Sequence, residues 1–191
     1  MICIDDRIVI EKTGIFSEMV GSRMLSYKHD PFQYTDSVYG ISGLFMENQI
    51  YAVTNRVEVR DYYGSEEDVA IFKVSHAKAD DIHSYIQGES LINIPVNQVI
   101  KKILVVNEHQ CLFENDSQTY DVWLTRGFVI ELEDGLQICF EKDIWFSEDI
   151  NIKRGYRLEE QFMPMDSITD DWESPLRLEC ERKTVVFEMP V

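Results

Sequence analysis

Basic residues are scarce in this chain of 191 residues. It contains 18 Lys and Arg against 35 Asp and Glu, which gives a formal net charge of −17. Proteins that bind DNA or RNA neutralise phosphates with Lys and Arg, so direct nucleic-acid binding is not expected. An anionic membrane is repelled for the same reason, whereas a basic protein is attracted, and the attraction weakens as salt rises. A surface that serves only solubility is the simpler interpretation of the same charge.

Long apolar runs and clustered cysteines are also lacking. No apolar stretch approaches the roughly 18 residues that a membrane-spanning helix needs. The amino-terminal MICIDDRIVI is acidic where a secretion signal would be basic. The four cysteines are far apart, with no C-x-x-C pair and no histidine at zinc-finger spacing: Cys3, Cys111, Cys139 and Cys180. We therefore expect a cytoplasmic protein with reduced thiols, and we predict neither a metal site nor a cofactor.

Catalytic motifs are missing as well. The sequence has neither a P-loop nor a G-x-G-x-x-G fingerprint. The stretch GISG at 40–43 is one residue short of a nucleophile elbow and lacks its strand-then-helix context. The four histidines show no H-x-H, H-E-x-x-H or i, i+4 pairing. The acidic stretch 166–173 has enough oxygens for calcium but lacks the spacing and central glycine of an EF-hand loop. We assign no catalytic residue.

Strand-like alternation is what the sequence has in abundance. Between Thr119 and Gln161, β-branched and aromatic residues alternate with polar ones, and short breaks containing Gly or Asp separate the runs. This pattern is typical of an antiparallel meander. We predict a mainly β fold, α+β at the margin, with meander, barrel-like or sandwich-like antiparallel sheets and one or two short helices. Trp123 alternates out of phase with its apolar neighbours and is expected on a mixed face, whereas Cys139 is expected in the core.

The bounds of individual elements follow from the same alternation and from turn residues. The best helix candidate is Ala77–Gln87, with Ser75 as N-cap and Gly88 as terminator. Ser17 could cap another short helix that runs through Lys28. Turns are predicted at 47–49, 115–117 and 133–135, and an acidic loop at 62–68. The predicted strands are 2–10, 44–46, 50–53, 57–60, 69–74, 102–106, 110–114, 119–124, 127–133, 136–141, 148–153, 156–161, 176–180 and 184–189.

A division into two regions is predicted near residue 90. Residues 1–90 would form a β-rich region with a Gly- and Tyr-rich loop and a short helix. Residues 91–191 would form an antiparallel meander domain with an acidic carboxyl-terminal segment. A single continuous domain remains the alternative.

Acidic residues concentrate near aromatic ones in the last third of the chain. The stretch 159–181 carries eight acidic residues and one basic residue, a net charge of 1 − 8 = −7. Carboxylates around an exposed aromatic anchor could steer a basic partner. Alternatively, Phe162 and Trp172 could cap the β core under a solvated connection. The candidate interface residues are Glu66, Glu67, Asp68, Glu159, Glu160, Asp166, Asp170, Asp171, Trp172 and Glu173.

These features predict a non-enzymatic interaction module that binds a basic protein. In its sharpest form the module is an inhibitor that mimics nucleic acid and acts on a basic nucleic-acid-binding enzyme, as phage or mobile-element counter-defence proteins do. One alternative is a structural or assembly β subunit that associates with itself into a homo-oligomer. Another is an enzyme that uses carboxylates or a metal.

Overall fold

One long strand, β7 (Ile92–Glu114), connects the two halves of the β-sheet. Its residues 92–99 pair with one neighbouring strand, β2 (Arg23–His29). Its residues 100–114 pair with another, β8 (Ser117–Leu132). Each half of the sheet therefore continues from a different stretch of the same strand.

The computed structural model describes residues 1–8, 14–62, 64–144, 146–170 and 172–189. Within these residues the helical elements are short: α1 (Ile15–Met19), α2 (Asp166–Thr169) and two 3₁₀ helices, Ala79–Asp81 and Leu158–Gln161. The other strands are β1 (Ile2–Asp6), β3 (Ser37–Tyr39), β4 (Ile41–Met46), β5 (Ile50–Tyr62), β6 (Ser65–Ala77), β9 (Gln137–Lys142), β10 (Asp149–Gly155) and β11 (Leu176–Glu188). No helix in the described ranges is both long and apolar enough to cross a membrane.

The strands form one sheet in the order β3-β10-β9-β8-β7-β2-β4-β5-β6, with β1 beside β8 and β11 beside β7. The pairings are antiparallel except that of β1 with β8, which is parallel. The predicted mainly β, antiparallel architecture is confirmed. Strands β8, β9 and β10 form the meander that the alternation indicated.

Both halves of the sheet contribute to one apolar core. The ring centroid of Phe72 on β6 lies 6.1 Å from that of Phe128 on β8. Tyr27 on β2 meets Phe140 on β9 edge to face, with centroids 5.9 Å apart. The two halves therefore face each other across shared aromatic contacts. The boundary near residue 90 stays a prediction.

A close approach of β8 and β9 determines the local sequence at Gly127. A Cβ added there would lie 2.3 Å from the carbonyl oxygen of Phe140, so only glycine fits. Next to it, the residues of β8 that pair with β7 are Gly127 and then Thr125, so Arg126 is paired with no residue of β7. Arg126 is thus the extra residue of a β-bulge, a feature that redirects a side chain.

The predicted helix at 77–87 is wrong. Strand β6 extends to Ala77, and only Ala79–Asp81 form a single 3₁₀ turn. Ile82 packs instead with Ile41 and Ala52, above β4. A Cβ on Gly43 of β4 would come within 2.6 Å of Ile82, so this glycine makes room for the side chain. Ile82, whose spacing favoured a helix, is therefore used in a contact with β4 and β5 instead. The helix predicted from Ser17 through Lys28 is also wrong in its bounds, because Ser17 lies inside the short α1 and residues 23–28 belong to β2.

Several predicted bounds also change. The predicted strand at 156–161 is wrong, because Arg157 has a φ of 56° and a 3₁₀ helix follows it. The predicted acidic loop at 62–68 is wrong for Glu66, Glu67 and Asp68, which belong to β6. Neighbouring predicted strands merge into β7, β8 and β11.

Other local predictions are confirmed. The turn between β4 and β5 is where the sequence placed it. Asn115 and Asp116 have positive φ, as does Gly135, in agreement with the turns predicted there. Cys139 is buried, as expected. The first predicted strand is confirmed over Ile2–Asp6 as β1, but it does not include Arg7 and Ile8, and Val9 and Ile10 lie outside the described ranges.

Candidate functional site

The predicted interface residues lie on three stretches of the surface. The described carboxylates among them are exposed, and Trp172 is half-buried. The stretches are the start of β6 (Glu66, Glu67 and Asp68), the second 3₁₀ helix (Glu159 and Glu160), and α2 with the residues after it (Asp166, Asp170, Trp172 and Glu173). Asp171 is outside the described residues.

Two of these stretches flank the same apolar cluster. Val69, which follows Asp68, belongs to a cluster that also contains Ile168 of α2 and residues of β7, β8 and β11. Trp172 packs against this cluster, and Met163 does too. We define the acidic surface as the six carboxylates of these two stretches: Glu66, Glu67, Asp68, Asp166, Asp170 and Glu173.

The third stretch lies elsewhere. Glu159 and Glu160 are next to Leu158, which is buried with Phe162 in a different apolar cluster. Phe162 is therefore a core residue, as the alternative interpretation expected. Trp172 also caps the core, but it keeps a partly exposed side chain beside the acidic surface.

The acidic surface differs from other carboxylates of the described chain in its ion pairs. Among the described residues, none of its six carboxylates forms an ion pair. By contrast, Glu58 further along the same hairpin pairs with Arg60 and Lys73, and Glu160 pairs with Arg157. Unpaired charges of one sign add to a potential that attracts cations.

A buried ionic network occupies the interior beside the bulge. Glu108 is fully buried, and its Oε1 and Oε2 accept hydrogen bonds from Nε and Nη2 of Arg126 at 2.9 and 2.6 Å. Arg182 donates to Oε1 from Nε and Nη2, at 2.9 and 2.7 Å. Burial opposes ionisation of Glu108, but the two guanidinium groups outweigh it and lower the pKa of Glu108. Both carboxylate oxygens accept hydrogen bonds from protein side chains. The network therefore links β7, β8 and β11 in the interior.

Lys142 lies at the edge of this network. Its side chain is buried, and Nζ donates a hydrogen bond of 2.6 Å to the carbonyl oxygen of Ala70 on β6. Burial, together with the positive charge of Arg126, lowers the pKa of Lys142 from 10.5 to about 7. At neutral pH about half of the folded molecules would therefore have a neutral amine at Lys142, whereas the unfolded chain keeps the ammonium.

This shift predicts that Lys142 contributes an increase of stability with pH. Between about pH 7 and 10.5 the unfolded chain binds more protons at this position, so the free energy of unfolding rises, by at most about 1.4 kcal/mol per pH unit. The raised thiol pKa values of Cys139 and Cys180 act in the opposite direction above their ordinary value of 9.0. Urea unfolding between pH 7 and 8.5 is therefore the measurement. Lys142→Met should remove the increase, whereas Lys78→Met, at an exposed position, should retain it. If the free energy of unfolding rose equally with pH in both variants, the prediction would be contradicted.

A second cluster of functional groups lies on the face of the sheet opposite to the side chain of Glu108. His109 and Cys111 are on β7, and Asp121 pairs with Cys111 from β8. We call these three residues the outer-face cluster. Nε2 of His109 is 2.9 Å from Oδ1 of Asp121 and 3.4 Å from Sγ of Cys111. Within the described residues, this is the one group of three His, Cys, Asp or Glu side chains whose ligand atoms come close enough to hold a metal ion.

The histidine of this cluster is held in place by its neighbours. Its ring stacks on Trp123 with centroids 4.1 Å apart and planes inclined by 7°. Its Nδ1 lies 3.2 Å from Oε1 of Glu181 on β11. Arg7 and Lys183 lie over the indole of Trp123, at 4.4 and 4.8 Å from the ring. The imidazole is thereby fixed both in its plane and at its Nδ1 edge.

Sequence reasoning missed this cluster. The H-x-C spacing of His109 and Cys111 places both side chains on one face of a strand, which is the only local signal. Asp121 joins them through the register of β7 with β8, and motif spacing does not encode that register.

The described part of the chain is thus an acidic, antiparallel β protein with a group of exposed carboxylates and a His/Cys/Asp cluster. Comparisons with protein-family models, curated proteins and solved structures find no match.

Proposed function

We propose that the protein is a non-enzymatic interaction module whose acidic surface binds a basic protein. One observation carries the proposal. Six exposed carboxylates from two distant stretches of the chain flank one apolar cluster, and none of them forms an ion pair with a described residue. A partner rich in Lys and Arg would neutralise them, and the half-buried Trp172 would offer it an apolar contact.

The sharpest form of the proposal is nucleic-acid mimicry. Carboxylates on a rigid support can occupy sites that evolved for phosphates, so the partner would be a basic nucleic-acid-binding enzyme and the protein its inhibitor. Glu66, Glu67 and Asp68 are on a paired strand of a long hairpin, which supports the rigidity that mimicry needs. We place the module in the cytoplasm, where its four free thiols would stay reduced.

Salt-dependent binding tests the proposal. The tagged protein is used to capture partners from a host lysate, and the affinity of the purified partner is then measured at low and high salt. We expect affinity to fall as salt rises, because exposed charges are screened. Neutralising the acidic surface (E66Q, E67Q, D68N, D166N, D170N and E173Q) should weaken binding at low salt by more than about tenfold.

A matched variant separates the surface from the net charge. It neutralises six exposed carboxylates that lie outside all three predicted stretches: E47Q, D80N, E89Q, E133Q, D134N and E188Q. This variant should bind within about threefold of the wild type, since only long-range attraction changes. Equal losses in the two variants, or an affinity that does not depend on salt, would refute the proposal.

A further inference from the structure

We propose that the outer-face cluster, His109, Cys111 and Asp121, is a binding site for a divalent transition metal of the zinc class. The inference does not depend on the acidic surface, because the two share no residue and the cluster lies on the face of the sheet opposite to α2. Leu112 and Val122 point into the apolar cluster beneath α2, whereas the alternate residues Cys111 and Asp121 face the other way and are half-buried.

The donor atoms select the class of metal. The cluster offers a thiolate sulfur, an imidazole nitrogen and a carboxylate oxygen. Hard cations such as magnesium and calcium prefer sets made only of oxygen, whereas zinc and its neighbours accept all three donors. A sulfur atom in the set therefore points away from a hard cation and towards zinc.

The distances are close to those of a tetrahedral site. Zinc bonds of about 2.0 to 2.3 Å place neighbouring ligand atoms roughly 3.3 to 3.6 Å apart. The separation of Nε2 of His109 from Sγ of Cys111, 3.4 Å, is within this range. Oδ1 of Asp121 is 2.9 Å from the same nitrogen and would have to move outwards by about half an ångström, which a small side-chain rotation provides.

The hydrogen-bond partner of His109 and the strands that hold the ligands are also typical of a metal site. Metal-bound histidines usually donate their other ring N–H to a carboxylate, which fixes the tautomer and leaves the remaining lone pair for the metal. Here Glu181 lies at Nδ1 of His109 and leaves Nε2 facing Cys111 and Asp121. The ligands are on two paired strands in the middle of the sheet, so their backbones are already in position.

Cys3 is a candidate for the fourth ligand, although its sulfur is not among the ligand atoms that lie within 4.8 Å of one another and would have to rotate towards them. Cys3 on β1 pairs with Asp121, so its exposed side chain is on the same face of the sheet as the three ligands. A second thiolate would complete the tetrahedron and close the site. A water molecule in that position would leave it open.

The charges around the cluster also favour a cation. The carboxylates of Asp121 and Glu181 lie within 3.2 Å of the two ring nitrogens of His109, so a positive ion at the cluster would lie close to two negative charges.

Cobalt(II) serves as the optical probe for the site, and zinc as its competitor. The full-length protein is treated with chelator and reductant and titrated with cobalt. We expect one equivalent to give a sulfur-to-cobalt charge-transfer band together with strong tetrahedral ligand-field absorption, both removed by zinc. Zinc should also raise the melting temperature, since it binds only the folded site.

Variants identify the ligands. Cys111→Ser should abolish the charge-transfer band, or halve it if Cys3 also ligates. His109→Gln and Asp121→Asn should weaken zinc binding at least about tenfold, and Glu181→Gln by about 10- to 100-fold. Circular dichroism confirms that each variant is folded. Cys3→Ser distinguishes the closed from the open site, because only a closed site loses part of the band.

Cys180→Ser and His83→Gln are the matched controls, because both positions lie outside the cluster. They should bind metal as the wild type does. Absence of the charge-transfer band from the wild type would overturn the proposal, as would zinc binding that is unchanged in the variants of Cys111, His109 and Asp121. Protection of Cys111 from alkylation by zinc provides a readout that does not depend on stability.

Discussion

Replacing Arg126 by methionine is expected to lower the free energy of unfolding by about 3–5 kcal/mol. Only 3 % of the Arg126 surface is exposed, and its guanidinium binds Glu108 through two hydrogen bonds. It also donates to the carbonyl oxygens of Lys142 and Asp143, at 3.3 Å each. Removing it leaves a fully buried carboxylate with Arg182 as its remaining guanidinium partner. Urea unfolding at pH 7 measures the loss.

The pH dependence distinguishes this loss from a simple packing defect. The pKa of Glu108 is lowered in the folded protein from an ordinary value of 4.5, so its ionised form stabilises the fold above that pH. The difference between wild type and Arg126→Met should therefore narrow as pH falls below about 4.5. Arg157→Met is the control, since Arg157 pairs with Glu160 on the surface, and no measurable change is expected. A loss below about 1 kcal/mol for Arg126→Met would show that Arg182 compensates.

Truncation of Phe128 to alanine is expected to cost about 3–5 kcal/mol. This ring is fully buried and lies between the two halves of the sheet. Its centroid is 5.1 Å from those of Phe16 and Phe140, and 6.1 Å from that of Phe72. The truncation would leave a cavity lined by rings from α1, β9 and β6, and paired strands cannot readily collapse into it.

Phe146→Ala is the matched control for this truncation. Phe146 is 58 % exposed, so its removal should change stability by no more than about 0.5 kcal/mol. Thermal and urea unfolding of the two variants provide the comparison. If Phe128→Ala costs less than about 2 kcal/mol, the halves of the sheet do not depend on this contact.

Local patterns in the sequence were sufficient for several parts of the fold. Alternation along 119–141 indicated strands because successive side chains of a strand point to opposite faces, and β8 and β9 bear this out. Asn115, Asp116 and Gly135 marked turns because these residue types tolerate positive φ. These are properties of neighbouring residues, so no distant contact was needed to find them.

The failed helix shows where such patterns mislead. Ile82 and Ile86 have helical spacing, but Ile82 belongs to a contact with Ile41 and Ala52 over Gly43. A short helix gains little from its own hydrogen bonds, so the distant contact decides the conformation. The carboxylates at the start of β6 resembled a loop for a similar reason, since pairing with β5 supplies the strand geometry that their own propensity does not.

The candidate sites depend on long-range pairing most of all. Composition alone established the charge of −17 and the scarcity of basic residues that underlie the proposed interaction module. Burial of Val69 with Ile168 brought the two acidic stretches to one apolar cluster. The bulge at Arg126 and the register of Cys111 with Asp121 come from the pairing of β7 with β8. A shift of one residue would turn every side chain to the other face, and only burial of the core selects among such registers. The sequence by itself therefore determined the class, the charge and the turns, whereas packing between distant strands produced the ionic network and the outer-face cluster.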